Sequence, residues 1–73
     1  MGAEERSPRI AICPGSYDPV TFGHLNIIER AAAIFDKVVV VVSTNTDKRS
    51  TFTPAERADM LRKVTAGMPN VAV

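Results

Sequence analysis

The chain has 73 residues, 45% of them apolar, and a formal net charge of +1. That length holds one small domain, which buries only about 60% of the surface of its unfolded chain, and the near-neutral balance excludes a general pull toward nucleic acid or an anionic membrane, so any anion site has to be local. A single cysteine excludes an intrachain disulfide and suits a reducing cytoplasm, and a single histidine beside it argues against a zinc site made from this chain alone.

Met1 to Pro8 is polar, mixed in charge and lacks the apolar core of a signal peptide. It reads as a flexible leader, residues 1–8, ahead of a domain over residues 9–73. Arg9 to Cys13 reads as a short apolar strand. The loop Pro14-Gly15-Ser16-Tyr17-Asp18-Pro19-Val20-Thr21-Phe22-Gly23-His24 follows. The spacing predicts a helix over Gly23 to Phe35, with Leu25, Ile28, Ala32 and Phe35 on one stripe, Ile27, Ala31 and Ile34 widening it, and Glu29 and Arg30 in water. Val38 to Val42 is β-branched throughout, too short to span a bilayer. Its continuous apolarity predicts a strand buried on both faces, as in a parallel sheet covered by helices.

Ser43 to Thr51 carries no apolar side chain and reads as a loop. Thr53-Pro54-Ala55-Glu56 is a capping box with proline at the first helical position. Phe52 is expected to staple that helix start. Met60, Leu61 and Val64 are its buried side, Asp59 and Lys63 an i,i+4 pair, and Gly67 with Pro69 its end. Val71-Ala72-Val73 begins a third strand. The order strand, helix, strand, helix, strand with right-handed crossovers gives an α/β fold: a three-stranded parallel sheet, the mononucleotide-binding half of a Rossmann-like domain.

Ligands of such sheets lie beyond the carboxyl ends of the strands, where the Pro14–His24 and Ser43–Thr51 loops fall. A helix start offers unpaired N–H groups and the positive end of the helix dipole, a seat for phosphate. His24 at that point could donate to a phosphate oxygen and stabilise developing charge, whereas elsewhere a lone histidine more often satisfies loop carbonyls. Thr21 could cap the helix and touch phosphate; Gly23 could let the backbone approach a ligand or simply form a tight turn. Ser16 could hold phosphate or be a turn serine, with no neighbouring base to make it a nucleophile. Asp18 is expected to fix the loop by a local Asx-type bond, and Pro14 and Pro19 to stiffen it. Lys48 and Arg49 are either solvated or a phosphate clamp. Cys13 reads as an inert hydrophobe at the strand end.

The run Pro14 to His24 resembles the signature of the nucleotidyltransferase superfamily with a (Thr/His)-x-Gly-His motif. Thr21, Pro14-Gly15-Ser16 and the later run Lys48-Arg49-Ser50-Thr51-Phe52-Thr53-Pro54-Ala55-Glu56-Arg57 are most similar to its bacterial phosphopantetheine adenylyltransferase branch. The resemblance covers Ile10 to Val73 and implies adenylyl transfer from ATP to 4′-phosphopantetheine, giving dephospho-coenzyme A and pyrophosphate, with Mg²⁺ carried on the ATP phosphates and no covalent enzyme intermediate. It implies that Ser16, Tyr17, Thr21, Phe22, Gly23 and His24 bind ATP, that His24 stabilises the transition state, and that Ser16 and Lys48 hold the phosphate of the acceptor, Lys48 counting with His24 as catalytic. It further implies a cytoplasmic homo-oligomer, a hexamer in that family, with no nucleic-acid or membrane partner. Members of the family are about twice as long, which makes residues 9–73 the N-terminal half of the domain. In a piece of that kind the third strand should expose an edge and much apolar helix surface, so that it recruits another copy, exchanges elements or aggregates and forms a dimer or larger species. The alternatives are a non-catalytic, self-associating phosphate-binding module and a related cytidylyl- or nicotinamide-nucleotide transferase.

Overall fold

The first strand, β1 (Ile10–Gly15), is followed by α1 (Phe22–Ile34), β2 (Lys37–Val42), α2 (Pro54–Val64) and β3 (Val71–Ala72). The computed structural model describes residues 7–44 and 50–73. The expected leader, apart from exposed Ser7 and Pro8, and both Lys48 and Arg49 lie outside the described residues. Among the described residues no helix is long and apolar enough to cross a membrane.

The three strands form one parallel sheet in the order β1-β2-β3. Ala11 pairs with Val38 and Cys13 with Val40, while Val38 pairs with Val71 on the other side. Each crossover moves one step in the same direction across the sheet, so right-handed connections bring both helices to the same face. Ile28 of α1 and Leu61 of α2 meet Val38 and Val40 there, all four almost wholly buried, with Ala11, Cys13, Val42, Val71 and Met68 packed around them.

That topology corrects the expectation for β2. Its burial alternates instead of running on: Val38 and Val40 are buried, whereas Val41 is 41% exposed. The opposite face of the sheet is open, with Ile10 and Ile12 of β1 also in contact with solvent. A five-valine run reports β propensity, but its two-sided burial depends on which side the crossovers take. The apolar stripe of α1 is likewise narrower than the periodicity suggested. Ile28 is buried and Ala31, Ala32, Leu25 and Phe35 are half-buried, while Ile27 and Ile34 face out.

Local chemistry sets the helix ends. Thr53 and Glu56 exchange the two bonds of a capping box, Glu56 N–H to Thr53 Oγ1 at 3.1 Å and Thr53 N–H to Glu56 Oε1 at 2.8 Å, with Pro54 opening the helix. Arg62 and Lys63 sit in the last turn, where they complement the helix dipole. The Asp59–Lys63 pair forms at 3.1 Å but is well exposed and contributes little. The helix ends at Val64, before Gly67, where the Thr65 backbone leaves the helical range while its N–H and hydroxyl both bond to the Leu61 carbonyl. At the far end of α1, the Asn70 side chain donates to the carbonyls of Ala32 and Phe35 and closes a helix end that has no basic residue in its last turn.

Candidate functional site at the start of the first helix

Gly15 ends β1, and the chain then folds back on itself. A Cβ at Gly15 would lie 3.0 Å from Cε2 of Tyr17, so only glycine lets the tyrosine ring lie over the strand end. Tyr17 takes a left-handed backbone conformation (φ 50°), which costs a residue with a Cβ about 1–2 kcal/mol. Its contacts offset that cost. The ring is 5% exposed, and the hydroxyl donates to the Cys13 carbonyl at 2.9 Å. Its other neighbour is His24, the ring centroids 4.9 Å apart and close to perpendicular. Tyr17, expected among the nucleotide ligands, thus lies in the core behind the histidine.

Thr21 caps α1. Its hydroxyl accepts the His24 N–H at 3.3 Å, and its own N–H donates to Nδ1 of His24 at 3.0 Å. The histidine side chain takes the place of the glutamate or glutamine that usually completes a capping box. Nδ1 also lies 3.1 Å from the Thr21 hydroxyl, and with the Thr21 N–H donated to it this pairing assigns the proton of the neutral ring to Nε2. The imidazole therefore offers a donor from a ring held by the Thr21 amide at Nδ1 and by the near-perpendicular ring of Tyr17.

The backbone at this point suits an anion. Phe22 and Gly23 occupy the first two helical positions, and their N–H groups have no acceptor among the described residues. No acidic residue sits in the first turn to neutralise the dipole. A methyl group at Gly23 would meet nothing closer than Thr21 Oγ1 at 3.7 Å, so packing within the protein does not require glycine there. His24 lines a cleft of about 320 Å³ with Tyr17, Ile27 and the strand-end residues Cys13, Pro14 and Gly15. A larger hollow, about 390 Å³, lies between Val20, Thr21, Phe22, Leu25 and Val64. It is lined almost wholly by apolar side chains and carries only the threonine hydroxyl, so the smaller cleft is the one equipped for chemistry.

The loop is tied to the next one by two charged side chains. Asp18, expected to make a local turn bond, instead accepts the N–H groups of Thr51 and Phe52 at 2.7 and 2.8 Å, more than thirty residues along the chain. Arg57, 2% exposed, donates to the carbonyls of Phe52, Ser16 and Ser43 at 3.1, 2.8 and 3.1 Å. Phe52 is held by its backbone at both sides, and Arg57 occupies the position where a hydrophobic staple would find its apolar partner. Arg57 was detectable in the sequence as a charge four residues before Leu61, on the stripe where α2 requires an apolar residue. Asp18 carried no such signal.

The fold thus brings Tyr17, Thr21, Gly23 and His24 together. Phe22, 90% exposed, borders the apolar hollow, and Ser16 is exposed with its carbonyl held by Arg57. Among the described residues no three carboxylate, imidazole or thiol groups converge as metal ligands. Burial raises the Tyr17 phenol above its ordinary value of 10.0, and the neighbouring Cys13 thiol adds to the effect. The unfolded chain therefore loses this proton first. Stability is complete below pH 10 and falls as the pH rises from there toward the folded value. Thermal unfolding from pH 8 to 11 should show that decline, and Tyr17→Phe, which costs about 1 kcal/mol at neutral pH through its lost hydrogen bond, should decline less steeply.

Comparison with known proteins gives the family. The cytidylyltransferase-like family profile matches residues 12–73. A phosphopantetheine adenylyltransferase of Nocardioides sp. is 60% identical over 63 residues, which are 86% of this chain and 40% of the relative. One of Symbiobacterium thermophilum is 62% identical over 63 residues, 86% of this chain and 39% of the relative. The chain thus spans about 40% of the length of the curated relatives it matches.

Proposed function

This chain belongs to the cytidylyltransferase-like family, and we propose that it is the phosphate-binding N-terminal part, over residues 9–73, of an adenylyltransferase that acts on 4′-phosphopantetheine. In that reaction a phosphate oxygen of the acceptor attacks the α-phosphorus of ATP, the bond from that phosphorus to the bridging oxygen breaks, and pyrophosphate leaves with its electron pair. The product is dephospho-coenzyme A. The observation that carries the reading is the His24 ring, its Nδ1 bound to the Thr21 amide so that Nε2–H is the free donor, beside two helix-start N–H groups without acceptors. Such a group of donors stabilises charge on phosphate without forming a covalent bond. The space outside Gly23 supports a close approach by ligand. The names of the two relatives supply the substrate class.

In this reading His24 and Thr21 hold the ATP phosphates, Gly23 and Phe22 lie along the nucleotide, Tyr17 backs the histidine, and Ser16 and Lys48 bind the acceptor phosphate. Mg²⁺ would come with the ATP phosphates that His24 and Thr21 hold, and would supply charge neutralisation there. The protein works in the cytoplasm as a homo-oligomer. In the isolated 73-residue chain the open sheet face, with Ile10 and Ile12 in solvent, offers a surface for another copy.

The second reading is a phosphate-binding module without catalysis, which the same donors at the helix start would serve. ATP–pyrophosphate exchange in the presence of phosphopantetheine, measured on a full-length protein carrying this segment, separates the two. Exchange by that protein supports the enzyme, and pyrophosphate binding seen at the Gly23 and His24 amides without exchange supports the module. No response of those amides to ATP or pyrophosphate would sink both.

A further inference from the structure

We propose that Asp18 and Arg57 form a brace between the two β–α loops that sets the geometry of the phosphate seat, which makes them positioning residues and not merely structural ones. The proposal rests on the anion-site reading of Thr21 to His24. Arg57 is costly to bury. A guanidinium that is 2% exposed has given up its water, and among the described residues no carboxylate pairs with it. Burying a charge in that way is expensive. An apolar side chain at this place on the α2 stripe, four residues before buried Leu61, would pack α2 against the sheet without that expense. The reason for a charge has to lie in its partners.

Those partners come from three separate places: Ser16 in the first loop, Ser43 just after β2, and Phe52 just before α2. One planar fork thus fixes the first loop against both ends of the second. Asp18 makes the same connection in the reverse direction, from the first loop to the Thr51 and Phe52 amides. The Phe52 residue is the pivot, its N–H taken by Asp18 and its carbonyl by Arg57. Asp18 and Ser16 lie within five residues of the Thr21 cap, so the brace holds the segment that delivers the helix start and its histidine. Either charge alone would leave one rotation of the Phe52 segment free; together they fix its plane. Preorganising a site in this manner raises affinity by removing the ordering cost at the moment of binding.

The test uses the chain itself, inorganic pyrophosphate as the probe, and amide NMR as the readout. Wild type, Asp18→Asn, Arg57→Lys, the double variant and Asn70→Ala are titrated while the Gly23 and His24 amides are followed, and hydrogen exchange is measured at Thr51 and Phe52. Asn70 is the control, because its bonds close the opposite end of α1. Each brace variant is expected to bind pyrophosphate about tenfold more weakly and to exchange faster at Thr51 and Phe52. The double variant should be little weaker than either single one, since both remove the same brace. Asn70→Ala should lower the melting temperature and keep wild-type affinity. Brace variants that melt earlier but bind as wild type would overturn the positioning role alone. A wild-type chain whose amides ignore pyrophosphate would overturn the anion seat, and the brace's purpose with it. If Arg57→Lys does not fold, Asp18→Asn, at a half-buried loop position, decides by itself.

Discussion

Replacing His24 by alanine is expected to remove the pyrophosphate response of the Gly23 amide and, in a full-length adenylyltransferase carrying this segment, to lower turnover by about 10²–10³, the usual effect of deleting one donor aimed at developing charge. The same change also breaks half of a capping box, since His24 Nδ1 accepts the Thr21 N–H. That loss costs about 1 kcal/mol, which in a domain of this size is a drop of roughly 4–8 °C in melting temperature. A fall in activity could then be read as a fall in stability, and His24→Glu separates the two. Glutamate is the usual third residue of a capping box and is favoured at a helix start, so the variant should melt at or above the temperature of His24→Ala. It also places a negative charge where the phosphate has to sit, so pyrophosphate binding should vanish. Stability and binding then move in opposite directions. A His24→Glu chain that still answers pyrophosphate would remove His24 from the phosphate seat. A His24→Ala chain as stable as wild type would mean the cap does not need the ring.

How much of this was legible in the sequence depended on the range over which each interaction acts. The start of α2 was fully legible, because Thr53, Pro54 and Glu56 make their bonds within one turn. The Thr21 cap was legible for the same reason. The reciprocal role of His24 was not, since the usual rule looks for a carboxylate or amide three residues after the cap, and an imidazole satisfies the same geometry with Nδ1. Parallel pairing of the strands followed from the alternation of elements, but the open face of β2 did not. Side-chain pattern gives the period of a strand, and coverage of its faces depends on strand order. The buried Tyr17 needed Gly15 to be recognised as space for a ring. Asp18 bonds across 33 and 34 residues, and Arg57 reaches back 5, 14 and 41. For Asp18 the local turn was the natural expectation, and only the misfit of an arginine on an apolar stripe hinted at the brace.

The 73-residue chain in isolation is expected to run as a dimer or larger species in light scattering at micromolar concentration, and Ile12→Lys is expected to shift it toward monomer without unfolding it. Ile12 is 66% exposed in the middle of β1, with Ile10 beside it and Val41 across on β2, all on the face that neither helix covers. The pairing Ile12 with Val39 and Pro14 with Val41 makes this face continuous across the two strands. An exposed apolar sheet of this kind is a docking surface by default, and β1 adds an unpaired edge because it ends the strand order. Two copies placed face to face bury the isoleucines of both, and a lysine at position 12 puts a charge in the middle of that contact on each side. Its effect on the fold should be small, within about 0.5 kcal/mol, because the side chain leaves no buried neighbour unpacked. Association therefore falls while the melting temperature of the dilute chain holds. A wild-type chain that scatters as a monodisperse monomer would show that the open face needs no partner. An Ile12→Lys chain that remains associated would place the contact elsewhere, with the exposed Ile27 and Ile34 of α1 as the next surface to charge.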